Sequence, residues 1–208
     1  MFERSNVEIL SEEDVFQGFF TIRRYQLKIP FHGGGLSPVF TRELFVRGDS
    51  VAVLLYDPAH DKVALVRQFR IGCLENEGGP WVWEVVAGIV DQDESDEAVA
   101  VREVNEETGI KIGAEALIPV CRYYNSPGGS DEKLNLFCGL VNLTAAKEGF
   151  FGLPEEVEDI EFKTFDYETA VNAMLEGRIN NAATIIALQW LQINRPRLRA
   201  ERASVPSF

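Results

Sequence analysis

Residues 88–110 read GIVDQDESDEAVAVREVNEETGI and contain the strongest pattern in the chain. From Glu94 to Glu107 the pattern is helical, with apolar residues three positions apart at Ala98, Val101 and Val104. Acids at the start of this segment suit the positive end of a helix dipole, and Gly109 suits the position just after a helix. We therefore expect a helix with one apolar face.

The last turn of this helix carries a cluster of carboxylates. Glu103, Glu106 and Glu107 are three and four positions apart, so they project from one side of the helix. Like charges at this spacing, at the negative end of the dipole, destabilise a helix. Oxygen ligands without histidine or cysteine suit Mg²⁺ or Mn²⁺. The residues alone leave two interpretations open, a divalent-cation site and a solvated acidic face.

Acidic residues are concentrated in two places. The chain of 208 residues has 33 acids, 20 bases and a formal net charge of −13. Residues 88–110 hold eight acids and one base, and residues 155–161 hold five acids and no base. This balance argues against a protein that binds nucleic acid or an anionic membrane through a basic face.

Other counts exclude further classes of protein. The spacing of Cys73, Cys121 and Cys138 matches no zinc motif, and neither His32 nor His60 has an obvious ligand partner. No apolar stretch approaches the roughly 20 residues that span a bilayer. The N-terminal segment has acids where a signal peptide has an apolar run, so we expect a cytoplasmic protein.

The remaining chain predicts a mixed β/α protein without repeats. Runs of aromatic and β-branched residues predict strands at 16–27, 40–46, 50–56, 62–69, 83–89, 116–124 and 134–141. Periodic apolar residues predict two closing helices, at 167–176 and at 181–193, the second ending before Pro196.

Residues 88–110 also resemble the signature of the Nudix hydrolases without a mismatch. The fixed positions of that signature are Gly88, Glu94, Arg102, Glu103, Val104, Glu106, Glu107, Gly109 and Ile110. The whole chain resembles the ADP-ribose pyrophosphatase branch, with an SPGG loop at 126–129, an acidic loop and a closing NAA-IIALQWLQ helix. The resemblance implies a Nudix-fold α/β/α sandwich with a mixed sheet, plus an N-terminal antiparallel β region. It also implies cleavage of a nucleoside diphosphate linked to another group, with Mg²⁺ or Mn²⁺.

The resemblance also assigns the catalytic residues. It implies Glu103, Glu107 and the backbone carbonyl of Ala87 as metal ligands, with Glu106 as a ligand or base and with Glu94 and Arg102 orienting them. The loop Gly152-Leu153-Pro154-Glu155-Glu156-Val157-Glu158-Asp159 matches the family loop that supplies a general base. We expect Glu156 to be that base, with Glu158 contacting a metal or serving as the alternative.

The same resemblance implies a substrate site outside this segment. Arg42 and Arg70 match arginines that hold phosphates, and Glu43 lies beside Arg42. Phe19 and Phe20 match the place where an adenine stacks across a dimer interface, although core packing explains them equally well. Ser126 and Glu132 are expected to line the terminal ribose pocket.

Taken together, residues 1–48 are expected to form an N-terminal β region for dimerisation and substrate contacts, and residues 49–208 the Nudix catalytic domain. The expected reaction is Mg²⁺-dependent hydrolysis of ADP-ribose to AMP and ribose 5-phosphate by a homodimer, with Mn²⁺ as a substitute cation. Alternatives are a pyrophosphatase for another nucleoside diphosphate sugar, such as GDP-mannose or ADP-glucose, and a non-catalytic Nudix module that senses a nucleotide. Isoprenoid diphosphate isomerisation is disfavoured because the motifs that would place its cysteine nucleophile are absent.

Overall fold

The computed structural model describes residues 2–90, 93–153 and 157–203. The chain forms two compact units. The first comprises Met1–Asp49 with Tyr124–Lys133, and the second comprises Ser50–Tyr123 with Leu134–Phe208.

The first unit is built on a three-stranded antiparallel sheet. Its strands, in the order β1-β2-β3, are β1 (Glu8–Gln17), β2 (Thr21–Lys28) and β3 (Phe40–Val46). A single strand at 16–27 is wrong, because the chain turns between Gln17 and Thr21. The aromatic residues on both sides of Gly18 extend the strand pattern across this turn, which hides it in the sequence. The 124–133 loop joins β3 through a hydrogen bond of 2.8 Å from Phe45 N to Gly129 O.

The second unit contains an eight-stranded sheet. Its strands are β4 (Asp49–Asp57), β5 (Lys62–Phe69), β6 (Trp81–Glu84), β7 (Val86–Ile89), β8 (Leu117–Tyr124), β9 (Lys133–Leu140), β10 (Gly149–Phe151) and β11 (Ile160–Asp166). The main path runs β10-β11-β5-β4-β9-β8, while β6 pairs with β5 and β7 pairs with β4. The sequence pattern missed β10 and β11, since both follow or enter strongly polar segments.

Strands β4 and β5 pair only near their hairpin turn. Their register runs from Leu55↔Ala64 to Asp57↔Lys62, and β6 and β7 pair with the remaining parts of the two strands. A continuous strand at 83–89 is therefore wrong, because the chain changes partner at Val85. A run of apolar residues cannot show such a change, since both halves are equally buried.

Helices cover both faces of this sheet. Helix α1 (Asp96–Thr108) packs through Val99, Ala100 and Val104 on one core cluster, and α2 (Tyr167–Leu175) and α3 (Ala182–Ala203) pack on the other. The α/β/α sandwich is confirmed, as is the N-terminal antiparallel sheet. Short 3-10 turns occur at Arg4–Asn6, Ile71–Cys73 and Ala114–Ala116.

Helix α3 does not end before Pro196, contrary to the sequence prediction. Proline removes one backbone donor from a helix, but tertiary contacts on its C-terminal side keep the helix intact. Leu198 is 1% exposed in the core, and Arg195 and Arg199 both pair with Asp61. Across the part of the chain that the structure describes, no helix is both long enough and apolar enough to cross a bilayer.

Candidate active site

Both ends of α1 are fixed by local contacts. The hydroxyl of Ser95 accepts a hydrogen bond from Ala98 N and caps the first turn. Gly109 follows the last turn with a φ of 68°, a left-handed conformation that favours glycine. Because Val99, Ala100 and Val104 bury one face, Glu107 is carried into the protein and is only 3% exposed.

The carboxylate of Glu107 has weak polar contacts. Gln68 Nε2 and Ala87 N each donate to it at 3.4 Å, near the long limit for a hydrogen bond. Among the described residues, no lysine or arginine forms an ion pair with Glu107. A buried carboxylate without a cation is costly, so this position favours an added positive charge.

Arg102 contacts three carboxylates within α1 and just before it. Its Nη1 lies 2.9 Å from Glu103 Oε1 and 2.9 Å from Glu106 Oε2, while its Nη2 lies 3.5 Å from Glu94 Oε2. One guanidinium therefore faces three acids, which leaves a local excess of negative charge.

Gly88 permits the close approach of β7 to α1. A Cβ atom at Gly88 would overlap with Oε1 and Cδ of Glu103. Any other residue at this position would displace the Glu103 carboxylate. The glycine therefore places that carboxylate beside the strand that carries Ala87.

The electrostatics of the site reflect this crowding. Burial raises the pKa of Glu103 to about 7, and the neighbouring Glu106 and Glu158 add to the effect. Burial also raises the pKa of Glu107 well above its usual value, with further repulsion from Glu103 and Glu84. Glu158 is thus near enough to Glu103 to influence its charge.

Two residues that the sequence analysis missed complete this region. Glu84 is 9% exposed, and its Oε1 accepts a hydrogen bond of 2.7 Å from Arg70 Nε. Burial raises the pKa of Glu84, and Arg70 opposes that shift. The side chain of Gln68 hydrogen-bonds to both Glu84 and Glu107. A buried charged residue inside an apolar strand, WVWEVV, was the available signal for Glu84.

The predicted loop is only partly described. Gly152 has a φ of 104°, and Leu153 N donates to Glu158 Oε2 at 3.2 Å while Glu158 N donates to Leu153 O at 3.2 Å. These bonds hold Glu158 at the base of the loop. Glu156, the predicted general base, lies outside the described residues.

The predicted adenine residues differ in their surroundings in the first unit. Phe19 is 87% exposed and meets Phe20 edge to face at a centroid distance of 4.7 Å. Phe20 also packs edge to face against Phe45 at 4.9 Å and lies under the guanidinium of Arg47 at 4.7 Å. Phe19 therefore offers a free ring surface, whereas Phe20 is the platform beneath it.

The other predicted substrate residues of this unit also differ in their surroundings. Arg42 is exposed and lies over the ring of Phe40 at 4.6 Å. Glu43 is paired with Arg24, with 2.9 Å between Oε1 and Nη2. The backbone carbonyl of Ser126 accepts from Gly129 N and Ser130 N, which closes the SPGG turn.

Glu132 and Arg47 form the centre of this loop region. Glu132 accepts from Asn125 Nδ2 at 2.8 Å and from Arg47 Nη2 at 3.3 Å, and Arg47 N donates to Asp131 Oδ1 at 2.8 Å. No sequence pattern indicates a role for Arg47, since its hydrogen-bond partners Asp131 and Glu132 are 84 and 85 positions away. The first unit thus contains Phe19, Phe20, Arg42, Glu43, Ser126 and Glu132, and the second contains Arg70, Ala87, Glu103, Glu106, Glu107 and Glu158.

The side chains are not arranged as a finished metal cage. In residues 2–90, 93–153 and 157–203, no group of three or more His, Cys, Asp or Glu side chains is already positioned to hold a metal ion. Glu103 and Glu106 contact Arg102 instead. The fit to a divalent cation therefore depends on the chemistry of the donors. They are buried carboxylates with raised pKa values, and too few positively charged side chains lie beside them.

Comparison with known families identifies this arrangement. The family model described as the NUDIX domain matches residues 46–189, which include β7, α1 and the partly described loop. The chain belongs to the Nudix family. Hydrolases of this family generally use a divalent metal, in agreement with the donor set around Glu107.

Full-length relatives share this Nudix domain. The ADP-ribose pyrophosphatase of Haemophilus influenzae is 43% identical over 95% of this chain and 91% of its own length. The GDP-mannose pyrophosphatase of Cronobacter sakazakii is 32% identical over 90% of this chain and 96% of its own. A solved structure titled as an ADP compounds hydrolase has a TM-score of 0.68 at 21% identity, covering 93% of this chain and 97% of that one, and supports the fold.

Proposed function

We propose that this Nudix enzyme hydrolyses the pyrophosphate of ADP-ribose to AMP and ribose 5-phosphate by attack of water. The observation that carries the proposal is the 43% identity with an ADP-ribose pyrophosphatase along 95% of the chain. The complete signature helix, with Glu107 buried and lacking a cationic partner among the described residues, supports catalysis rather than passive binding.

Mg²⁺ is the proposed cation, with Mn²⁺ as a substitute. The ligands are Glu103, Glu107, Glu158 and the carbonyl of Ala87, all oxygen donors of the kind that hard cations prefer. When bound, the cation supplies charge neutralisation at the pyrophosphate and lowers the pKa of a coordinated water. The raised pKa values of Glu103 and Glu107 support the assignment, because both carboxylates need positive charge to ionise inside the protein.

The proposed general base is Glu156, with Glu158 and Glu106 as alternatives. A loop residue suits this role because the base needs to reach water only after the substrate is in place. Glu106 is held by Arg102 at 2.9 Å, which favours its charged form but restricts its movement. Loss of most of the kcat in Glu156→Gln would support the assignment, whereas retention would transfer the role to Glu158 or Glu106.

Arginines and aromatic rings are proposed to hold the rest of the substrate. Arg70 is fixed at Nε by Glu84, so its two terminal nitrogens remain available to grip a phosphate bidentately. Arg42 is the second phosphate residue, with Glu43 beside it. Phe19 stacks on the adenine with Phe20 beneath it, and Ser126 and Glu132 bind the terminal ribose.

A homodimer in the cytoplasm is proposed as the working form. The first unit exposes large apolar side chains, among them Leu10 and Phe16 on β1 and Phe19 in the turn between β1 and β2, and such a surface favours burial against a second copy. Free Cys121 is exposed, as suits a reducing compartment. A mass of one chain by light scattering, at micromolar concentration, would contradict the dimer.

Of two other candidate functions, only one has specific support. Pyrophosphatase activity on another nucleoside diphosphate sugar is supported for GDP-mannose by the relative from Cronobacter sakazakii named GDP-mannose pyrophosphatase, at 32% identity; ADP-glucose is a further candidate of the same class. A nucleotide-sensing module that does not cleave its ligand is disfavoured by the intact signature.

A substrate panel distinguishes these functions. ADP-ribose, GDP-mannose and ADP-glucose are each incubated with the protein and Mg²⁺, and kcat/KM is compared. We expect the largest value for ADP-ribose; a larger value for a hexose-linked nucleotide would correct the substrate, and binding without any turnover would favour the sensing module. Product analysis in ¹⁸O water then identifies which phosphorus is attacked.

A further inference from the structure

The segment Glu84–Ala87 changes partner strand at a buried residue. Glu84 pairs with Val66 of β5, whereas Val86 pairs with Val53 of β4. Val85 lies between the two strands and is 1% exposed. Its backbone N–H is therefore outside both ladders and needs another acceptor, because an unpaired buried N–H is costly.

That acceptor comes from the start of α3. The Thr184 hydroxyl accepts a hydrogen bond of 3.0 Å from Val85 N, and Thr184 is fully buried. Asn181 Nδ2 donates to Trp83 O at 2.8 Å, so the backbone on each side of Glu84 is held. Asn181 Oδ1 also accepts from Thr184 N at 3.1 Å, which ties the two residues together as a helix cap.

The held segment carries two groups of the proposed active site. Glu84 fixes Arg70 through a bond of 2.7 Å, and Ala87 N donates to the buried carboxylate of Glu107 at 3.4 Å. In the described part of the chain, the side chains of Thr184 and Asn181 bond to Val85 N, Trp83 O and Thr184 N and not to Arg70, Glu103 or Glu107, so neither belongs to the reacting groups.

We propose that Thr184, together with Asn181, is a positioning residue that fixes the strand change at Val85 and thereby sets the metal-binding and phosphate-binding groups of Glu84–Ala87. This inference rests on the proposed metal and phosphate sites. Its physical basis is that residues 84–87 form only short β-ladders on either side of the partner change at Val85. The hydrogen bond to the Thr184 hydroxyl therefore determines the positions of Glu84 and Ala87. Outer partners of metal ligands commonly change affinity or activity by about 10- to 100-fold when they are removed.

Thr184→Val tests the inference because valine keeps the shape of the side chain and removes the acceptor. Thr184→Ser keeps the acceptor and serves as the matched variant. Thr164→Val is the control, since the hydroxyl of Thr164, on β11, donates to Glu148 and not to residues 84–87. Mn²⁺ binding to each full-length protein is measured without substrate, from the electron paramagnetic resonance signal of free Mn²⁺.

We expect Thr184→Val to raise the Kd for Mn²⁺ by about 10- to 100-fold, and Thr184→Ser and Thr164→Val to leave it near the wild-type value. Hydrogen exchange at the Val85 amide is expected to accelerate in Thr184→Val alone. A folded Thr184→Val protein with the wild-type Kd would overturn the inference, as would an equal loss in Thr164→Val.

If Thr184→Val does not fold, Asn181→Ala replaces it in the same titration. That change removes the bond to Trp83 O, and a raised Kd for Mn²⁺ supports the inference, whereas an unchanged Kd overturns it. Because the titration uses the metal alone, a wild-type protein that binds Mn²⁺ but does not hydrolyse ADP-ribose would contradict the proposed substrate and leave the positioning inference standing.

Discussion

The acidic side chains of the three-stranded sheet and those of α1 are in opposite electrostatic situations. On the sheet, acids pair with bases on neighbouring strands, as in Asp14 with Arg23 at 2.6 Å and Glu8 with Lys28 at 3.3 Å. At α1, Arg102 faces Glu103 and Glu106 of the helix and Glu94 just before it, and Glu107 is buried without such a partner among the described residues.

From this difference we infer which acids belong to a binding site and which form a solvated surface. Exposed pairs across strands are screened by water and contribute little to stability. Buried carboxylates with raised pKa values destabilise the protein until a cation joins them. The acids of α1 are therefore best explained as part of a binding site, and those of the small sheet as a solvated surface.

The largest expected effect is on Glu107. Glu107→Gln removes the charge of a proposed ligand at constant shape, so metal-dependent turnover should fall by more than about 100-fold, the upper figure for residues that only support a ligand. Measurement of kcat with Mg²⁺ checks this. Glu97→Gln, on the exposed first turn of the same helix, is the control; near-normal turnover of Glu107→Gln would end the metal assignment.

Arg70→Lys is expected to come next. Lysine keeps the charge but loses the planar fork, and charged hydrogen bonds are worth about 1.5–3 kcal/mol, so KM for ADP-ribose should rise roughly 10- to 100-fold. Arg67→Lys provides a matched change on β5, three positions before Arg70, where the arginine pairs with Glu161 at 2.6 Å. Equal KM values in the two variants would contradict the assignment of Arg70 to the phosphate site.

The two adjacent phenylalanines should separate stability from binding. Phe19→Ala is expected to leave the unfolding free energy within about 0.5 kcal/mol, because the ring is 87% exposed. It should still raise KM, since stacking on a base contributes about 1–3 kcal/mol. Phe20→Ala should lower Tm through the lost contacts with Phe45 and Arg47. A Phe19→Ala enzyme with the wild-type KM would place the adenine elsewhere.

The metal-free protein should lose stability as pH rises through the mildly acidic range. The folded-state pKa of Glu103 is about 7 against an ordinary value of 4.5, so the folded state binds more protons between these values and its stability falls as pH increases. Tm measured at pH 5 and pH 7.5 checks the sign. Glu103→Gln should flatten the difference, and Mn²⁺ should raise Tm more at pH 7.5. The prediction would be contradicted if the wild-type Tm rose from pH 5 to pH 7.5 and Glu103→Gln showed the same pH dependence of Tm.

Asp14→Asn is expected to have the smallest effect. Asp14 and Arg23 are paired on an exposed strand, where salt and water screen the attraction. Tm and kcat should both match the wild type. A clear fall in Tm would show that the acids of the small sheet are structurally important after all, which would weaken the contrast with α1.

Local patterns in the sequence were sufficient for α1. The apolar spacing predicts its face, and Ser95 and Gly109 now bound it as a cap and a left-handed terminator. The family resemblance added the fold and the reaction, and both agree with the family model that matches residues 46–189. The site residues remain predictions, because their roles depend on a cation and a substrate.

Where the pattern of apolar residues was ambiguous, the bounds predicted for strands and helices were wrong. Gly18 turns the chain between β1 and β2, and Val85 divides one apolar run into β6 and β7. The acidic segment 155–161 also proved heterogeneous, since Glu161 belongs to β11 and pairs with Arg67. A helix expected to stop before Pro196 continues because Leu198 is buried.

The sequence by itself determined the signature helix, the family and the chemistry of its donors, because each depends on spacing within about two dozen residues. Only the tertiary structure decided that Glu107 is buried, that Glu84 fixes Arg70, and that Thr184 satisfies the N–H of Val85. The physical reason is that burial and hydrogen bonding depend on partners distant in the chain, such as Val85 and Thr184, which periodicity cannot connect.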